Sequence, residues 1–137
     1  MEIDDTLPQM AIEASRNAYV PYSGFKVGAA VITEDGSIYT GCNIENGSYG
    51  LTMCAERTAI YKAISDGARK IKAIAIAGGE KTPAYPCGAC RQVLSEFGNA
   101  DTTVCCLTLD GKKCETFTLE ELLPKSFNLN ASTQPAN

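Results

Sequence analysis

Apolar residues recur at Leu7, Met10, Ala11, Ala14 and Ala18. Spacings of three and four put them on one stripe of an amphipathic helix, which Pro21 ends. The period changes at Phe25. Residues 25–33 predict a strand, Asp35-Gly36 a tight turn, and residues 37–42 the returning strand of a hairpin. "NGSYGLT", residues 46–52, reads as a loop. "CAERTAIYKAISDGA" from Cys54 predicts a helix that stops near Gly67. "IKAIAIAGG" from Ile71 is a nearly continuous apolar run, the mark of a buried strand. After Pro86, Cys-Gly-Ala-Cys opens a second short helix through "RQVLSEFG". "TTVCCLTLDGKKCETF" predicts two more strands around Asp110-Gly111. "TLEELLP" predicts a short helix with Thr118 as N-cap and Glu121 completing a capping box.

The order α-β-β-α-β-α-β-β-α predicts an α/β fold: a single mixed β-sheet of about five strands flanked by helices. No internal repeat or linker interrupts it, so residues 1–137 read as one domain. Residues 128–137 are small and polar and predict a loose C-terminal tail.

Composition narrows the function. The chain is 45% hydrophobic and 20% charged, with a net charge of −4. That is ordinary for a soluble globular domain. An acidic chain lacks the Lys/Arg surface with which nucleic-acid binders neutralise phosphates. The start, "MEIDDTLPQM", does not read as a signal peptide, and no window reaches the ~18 apolar residues of a membrane helix. The seven cysteines are odd in number, which with no visible leader argues against a disulfide framework and for a reducing cytoplasm.

The chemistry concentrates in "YPCGACRQ", residues 85–92, in a chain without histidine. Cys87 and Cys90 suit a redox dithiol or part of a metal site. Zinc takes thiolates readily, and a catalytic zinc keeps three protein ligands and one open position. Cys54 is the best-placed third ligand, because it opens one predicted helix as Cys87 opens another. The positive end of a helix lowers a thiol's pKa. Glu56, two residues on, can lean past the same helix end toward an ion and move protons there. Taken alone, Glu56 reads more readily as a solvated first-turn glutamate serving the helix dipole, and it is the neighbouring "CAE" and "PCGAC" that turn the reading toward a site. A closed four-cysteine zinc with Cys42 is a further reading of the thiols. Cys42, Cys105, Cys106 and Cys114, all in predicted strands, otherwise read as small buried hydrophobes.

"CAERTAIYKAI" followed by "PCGACRQVL" resembles the small homotetrameric cytidine deaminases, in their three-cysteine form. The resemblance runs from about Tyr19 to Phe127 and includes "NIENGSYG", which is similar to the nucleoside enzymes of the group. It implies a three-layer fold and one Zn²⁺ per subunit on Cys54, Cys87 and Cys90, with Glu56 as proton shuttle. It implies Asn43 and Glu45 on the ribose hydroxyls and Phe25 near the pyrimidine. The backbone around Gly47 and Ala55 would meet the base's polar edge. Tyr49 and Phe127 would come from neighbouring subunits. Gly47 departs from the more usual Ala. The activity implied is hydrolysis of cytidine and deoxycytidine to uridine and deoxyuridine in pyrimidine salvage. A blasticidin-like nucleoside, a free base, or a non-catalytic structural zinc domain are the other readings.

Three thiolates and one Zn²⁺ carry a formal charge of −1, which weakens the metal's pull on its water. The two helix N-termini offset part of this. Arg57 and Arg91, each following a site residue, are candidates to donate hydrogen bonds to sulfur and withdraw the rest.

Overall fold

The computed structural model describes residues 5–129. The chain runs α1 (Thr6–Ser15), β1 (Val27–Thr33), β2 (Ile38–Cys42), a 3-10 turn (Tyr49–Leu51), α2 (Ala55–Ser65), β3 (Ile71–Gly78), α3 (Gly88–Phe97), β4 (Thr103–Leu107), β5 (Cys114–Thr118) and α4 (Leu119–Leu122). The element order is the one the periodicity predicts. The predicted loose tail falls mostly on residues 130–137, outside the described residues.

The five strands form one sheet in the order β2-β1-β3-β4-β5. Only β3 and β4 are parallel, and α3 makes their crossover. The apolar run of β3 conceals an alternation of size. Ile74 and Ile76 face one side with Ala55, Ala59, Ile60 and Leu94 of α2 and α3. Ala73, Ala75 and Ala77 face the other with Leu7 and Ala11 of α1. Large side chains fill the space under two helices, and small ones let one helix lie close.

Two glycines set those close approaches. A Cβ at Gly28 would stand 2.0 Å from the Ala11 carbonyl oxygen of α1. A Cβ at Gly41 would stand 2.5 Å from the Ala59 amide nitrogen and 2.9 Å from the Ala55 carbonyl oxygen of α2. Neither gap admits a methyl group, so α1 and α2 rest on opposite faces of the β1–β2 hairpin. Gly41 therefore fixes how deeply the start of α2 is seated.

Three sequence expectations are corrected. First, α1 ends at Ser15 rather than at Pro21. Tyr19 leaves the helical path because its N–H donates to the Asn43 carbonyl and its carbonyl accepts from the Glu45 N–H. Second, β1 begins at Val27 rather than Phe25, because the Asn43 side chain takes the backbone partners there: the Val27 N–H donates to its Oδ1 and its Nδ2 donates to the Phe25 carbonyl. Third, the strand cysteines are not uniformly buried. Cys105 and Cys106 are, Cys42 is half-buried, and Cys114 is exposed on the edge strand β5, which has no outer neighbour among the described residues.

Candidate metal centre

Two helices start at one place. Cys54 is the N-cap of α2 and Cys87 the N-cap of α3, both with extended backbone, and neither side chain caps its helix. Ser, Thr, Asp or Asn normally stands there to accept an end amide. A thiol is a poor substitute, so both positions give up helix stability for another use of the sulfur. Cys90 lies in the first turn of α3 and turns back toward Cys87.

The thiols converge. Cys54 Sγ lies 3.8 Å from Cys87 Sγ, Cys87 Sγ lies 3.4 Å from Cys90 Sγ, and all three sit within 4.8 Å of one another. A tetrahedral zinc with bonds of ~2.3 Å requires sulfurs about 3.8 Å apart. The donor set fits that ion in type, number and spacing. No other such group occurs among the described residues, and Cys42 does not join this one. That removes the four-cysteine reading, and a redox dithiol has no use for the third thiol. The Cys54 and Cys90 sulfurs compete for a proton. A hydrogen bond from Cys90, helped by Arg57, pulls Cys54 down to about 5, while the same bond and burial push Cys90 far upward.

Glu56 is buried at 6% exposure among these thiols. Burial pushes its carboxyl up to about 7, and the Cys90 thiol and the Arg57 charge pull partly against that. A first-turn glutamate serving only the helix dipole would lie in water, and this one does not. Arg57 Nη2 donates to Cys54 Sγ at 3.4 Å, and its buried Nε has no acceptor among the described residues. Arg91 is turned elsewhere. Its Nε and Nη1 each donate at 2.8 Å, to the carbonyls of Pro86 and Leu122. It braces the turn before Cys87 against the end of α4, so the expectation that it donates to sulfur is corrected.

A second group adjoins the first through the backbone. Ile44 and Met53 exchange both N–H···O=C bonds at 2.9 Å, which lays residues 43–45 antiparallel to residues 52–54. Asn43 and Glu45 are thereby held beside the Cys54 segment. Ala55, the first residue of α2, is fully buried, and its amide is one that the helix leaves without an internal partner. Glu45 accepts three bonds: Tyr22 N–H at 3.0 Å and Ser23 N–H at 3.2 Å on Oε1, and Ser23 Oγ–H at 2.5 Å on Oε2. Ser23 chiefly holds this carboxyl below its usual range. Tyr22, Ser23, Glu45, Asn46, Tyr49 and Thr52 line a cavity of about 420 Å³.

The rings of Phe25, Tyr49 and Phe127 stand in the open, and of these Tyr49 lines the cavity. Phe25 is 49% exposed, Tyr49 77% and Phe127 67%. Tyr49 touches Tyr22 edge to face at 6.1 Å, and the Phe127 carbonyl accepts from Gln92 Nε2. Gly47 has an ordinary negative φ, and a Cβ there would meet Tyr22 Oη at 3.0 Å. Sequence reasoning passed over Tyr22 and Ser23. Their only local signal is the turn "PYSG", while the carboxylate they hold is far along the chain.

A model of the "cytidine and deoxycytidylate deaminase zinc-binding region" matches residues 1–107. Cytidine deaminase of Sporosarcina psychrophila is 53% identical over 116 residues, covering 85% of each chain. That of Halalkalibacterium halodurans is 55% identical over 117 residues, covering 85% of this chain and 88% of the relative. The crystal structure of cytidine deaminase from Burkholderia pseudomallei superposes with a TM-score of 0.86 at 44% identity, over 92% of this chain and 100% of that one. Three thiols at zinc spacing on two helix starts, with matches spanning nearly the whole fold, place the chain in the cytidine and deoxycytidylate deaminase family.

Proposed function

We infer that the protein is a zinc-dependent hydrolase that converts cytidine and deoxycytidine to uridine and deoxyuridine, releasing ammonia. The observation that carries this is the buried carboxyl of Glu56 set among three convergent thiols. Cys54, Cys87 and Cys90 hold one Zn²⁺ per chain. When bound, zinc supplies Lewis acidity that makes a water nucleophilic near neutral pH. Glu56 takes a proton from the attacking water and delivers it to N3 of the pyrimidine as C4 is attacked. A further transfer through the same carboxyl to the amino nitrogen lets that group leave as ammonia. A carboxyl lifted toward neutrality both gives and takes protons readily. Arg57 withdraws charge from Cys54, and the two helix ends add to that effect.

Asn43 and Glu45 select the sugar, by a finer division of labour than their residue types suggest. The Asn43 oxygen already accepts from Val27, while its Nδ2 has one hydrogen beyond the bond to Phe25. Glu45 can only accept. A ribose hydroxyl placed between them donates to Glu45 and accepts from Asn43, and a free base leaves the remaining Glu45 lone pair and the remaining Asn43 hydrogen unmatched. Phe25 stacks on the pyrimidine, and the backbone at Gly47 and Ala55 meets its polar edge. Tyr49 and Phe127 stand open in a lone chain, and in this reading they complete sites of neighbouring copies in a homotetramer. Cysteines free of disulfides at the centre suit a cytoplasmic enzyme of pyrimidine salvage, folded as a single domain.

The test is metal analysis alongside the fall in cytidine absorbance. One zinc per chain with turnover of cytidine and deoxycytidine is expected. Preference for a free base or a blasticidin-like nucleoside would overturn the substrate assignment. Zinc without any turnover would point to a structural domain.

A further inference from the structure

We propose that Ser23 is a positioning residue that sets the sugar-binding carboxylate and the base-stacking ring in register. The inference rests on the reading of Glu45 as a sugar ligand and of Phe25 as the stacking ring. The Ser23 hydroxyl sits between them in one hydrogen-bond chain. Its Oγ–H donates to Glu45 Oε2, and its oxygen accepts the Phe25 N–H at 3.0 Å. Two backbone amides, of Tyr22 and Ser23, hold the other oxygen of the same carboxylate. Gly24, between Ser23 and Phe25, adopts φ +68, a conformation that suits glycine and lets the chain turn back so that one hydroxyl reaches both.

The arrangement has a chemical consequence. A carboxylate offers about four lone-pair sites. Three are occupied by this turn, which fixes the rotation of the group and directs what is left at the ligand. From the other side, the Asn43 amide holds the Phe25 carbonyl and the Val27 N–H. Phe25 is therefore gripped at its N–H by Ser23 and at its carbonyl by Asn43, and these are the two sites that also govern the sugar. Substrate lacking sugar hydroxyls loses the benefit of that register, whereas the metal centre is untouched by it.

Ser23→Ala removes one exposed hydroxyl and leaves both backbone amides on Glu45. Losing a hydrogen bond to a charged group is worth about tenfold or somewhat more. For Ser23→Ala, kcat/KM for cytidine should fall about tenfold, chiefly through KM, with zinc content unchanged. For 2′,3′-dideoxycytidine, which has no 2′ or 3′ hydroxyl for Glu45, the same variant should lose distinctly less than on cytidine, keeping only the part of the loss that comes through Phe25. Ser23→Thr keeps the hydroxyl and should restore most of the cytidine value. An equal loss on both substrates, or no loss on cytidine, overturns the role given to Ser23. Should the wild-type protein itself turn over cytidine and dideoxycytidine equally well, the sugar reading of Glu45 fails first, and the proposal with it.

Discussion

Glu56 and Tyr49 lie close in the chain and at opposite extremes of exposure, 6% against 77%. They belong to the two ends of the proposed site. At the metal end, every component comes from a helix start, is at least half-buried or held by a neighbour, and is complete within one chain. At the sugar end, the components sit on turns, and the rings of Phe25, Tyr49 and Phe127 stand open. The metal end needs a dry, fixed setting because a shifted carboxyl and thiolates of a chosen charge depend on burial. The sugar end has to open for substrate, and aromatic cover from another copy can close it afterwards. One end is an intramolecular product of the fold. The other, in the proposed reading, is finished by association.

Substitutions can break that contrast at several depths. Stripping the metal with a chelator should reduce turnover to background. It should also lower the melting temperature by about 10 °C, since an ion bound well above its Kd stabilises the fold by ~4 kcal/mol. Calorimetry before and after zinc is restored checks both effects. An unchanged melting curve would mean that the ion does not tie α2 to α3.

Glu56→Gln keeps the shape of the side chain and removes the proton site. Turnover should fall by ~10²–10⁴-fold with zinc content unaltered. Retention of even a third of wild-type activity would rule out the assigned proton path.

Arg57→Gln tests the charge balance. A loss of roughly 10–100-fold in kcat or in zinc retention is expected. Arg91→Gln should act differently, lowering the melting temperature through the Pro86 and Leu122 carbonyls it releases while sparing the affinity for zinc.

At the open end, Tyr49→Ala and Phe127→Ala should each raise KM by about three- to tenfold, the range for losing an aromatic contact. Sedimentation should show whether either also weakens the assembly. A wild-type protein that sediments as a fully active monomer would end the idea of shared sites.

Gly47→Ala should matter least. The backbone there accepts a side chain, and only the tip of Tyr22 has to give way. Activity within about twofold and a melting temperature raised by about 1–2 °C are expected, because the substitution restricts the unfolded chain. A larger fall in kcat/KM would place the Tyr22 hydroxyl in the sugar site itself.

The element types were legible because each has a period or a punctuation of its own. The capping box of α4 is present as "TLEE" predicts, with Thr118 and Glu121 bonded reciprocally. Gly67 closes α2 in the left-handed conformation expected of a helix stop, at φ +105. The element edges were less legible where a side chain stood in for backbone. Nothing local to Phe25 says that an asparagine from β2's far end will replace its strand partner. The exposure of Cys114 was equally hidden, because strand position relative to the sheet edge is a property of topology.

The sequence by itself determined the donors: three cysteines and a glutamate at two helix starts, in a chain with no histidine to compete. Spacing along a helix start is local geometry, so residue type and position put these four forward, while a redox pair and a Cys42 ligand stayed open until the three thiols were seen to converge without Cys42. Only the tertiary structure decided that those starts meet. Gly41 seats α2 on the sheet, and the parallel β3–β4 pair carries α3 across the same face, so that Cys54 reaches Cys87. It also separated two arginines that look alike in the chain. Arg57 follows Cys54 by three residues on one helix face and reaches its sulfur. Arg91 meets the Leu122 carbonyl that the fold delivers from α4. Contacts between distant segments depend on how elements pack, and no local pattern records which carbonyl will arrive beside which guanidinium.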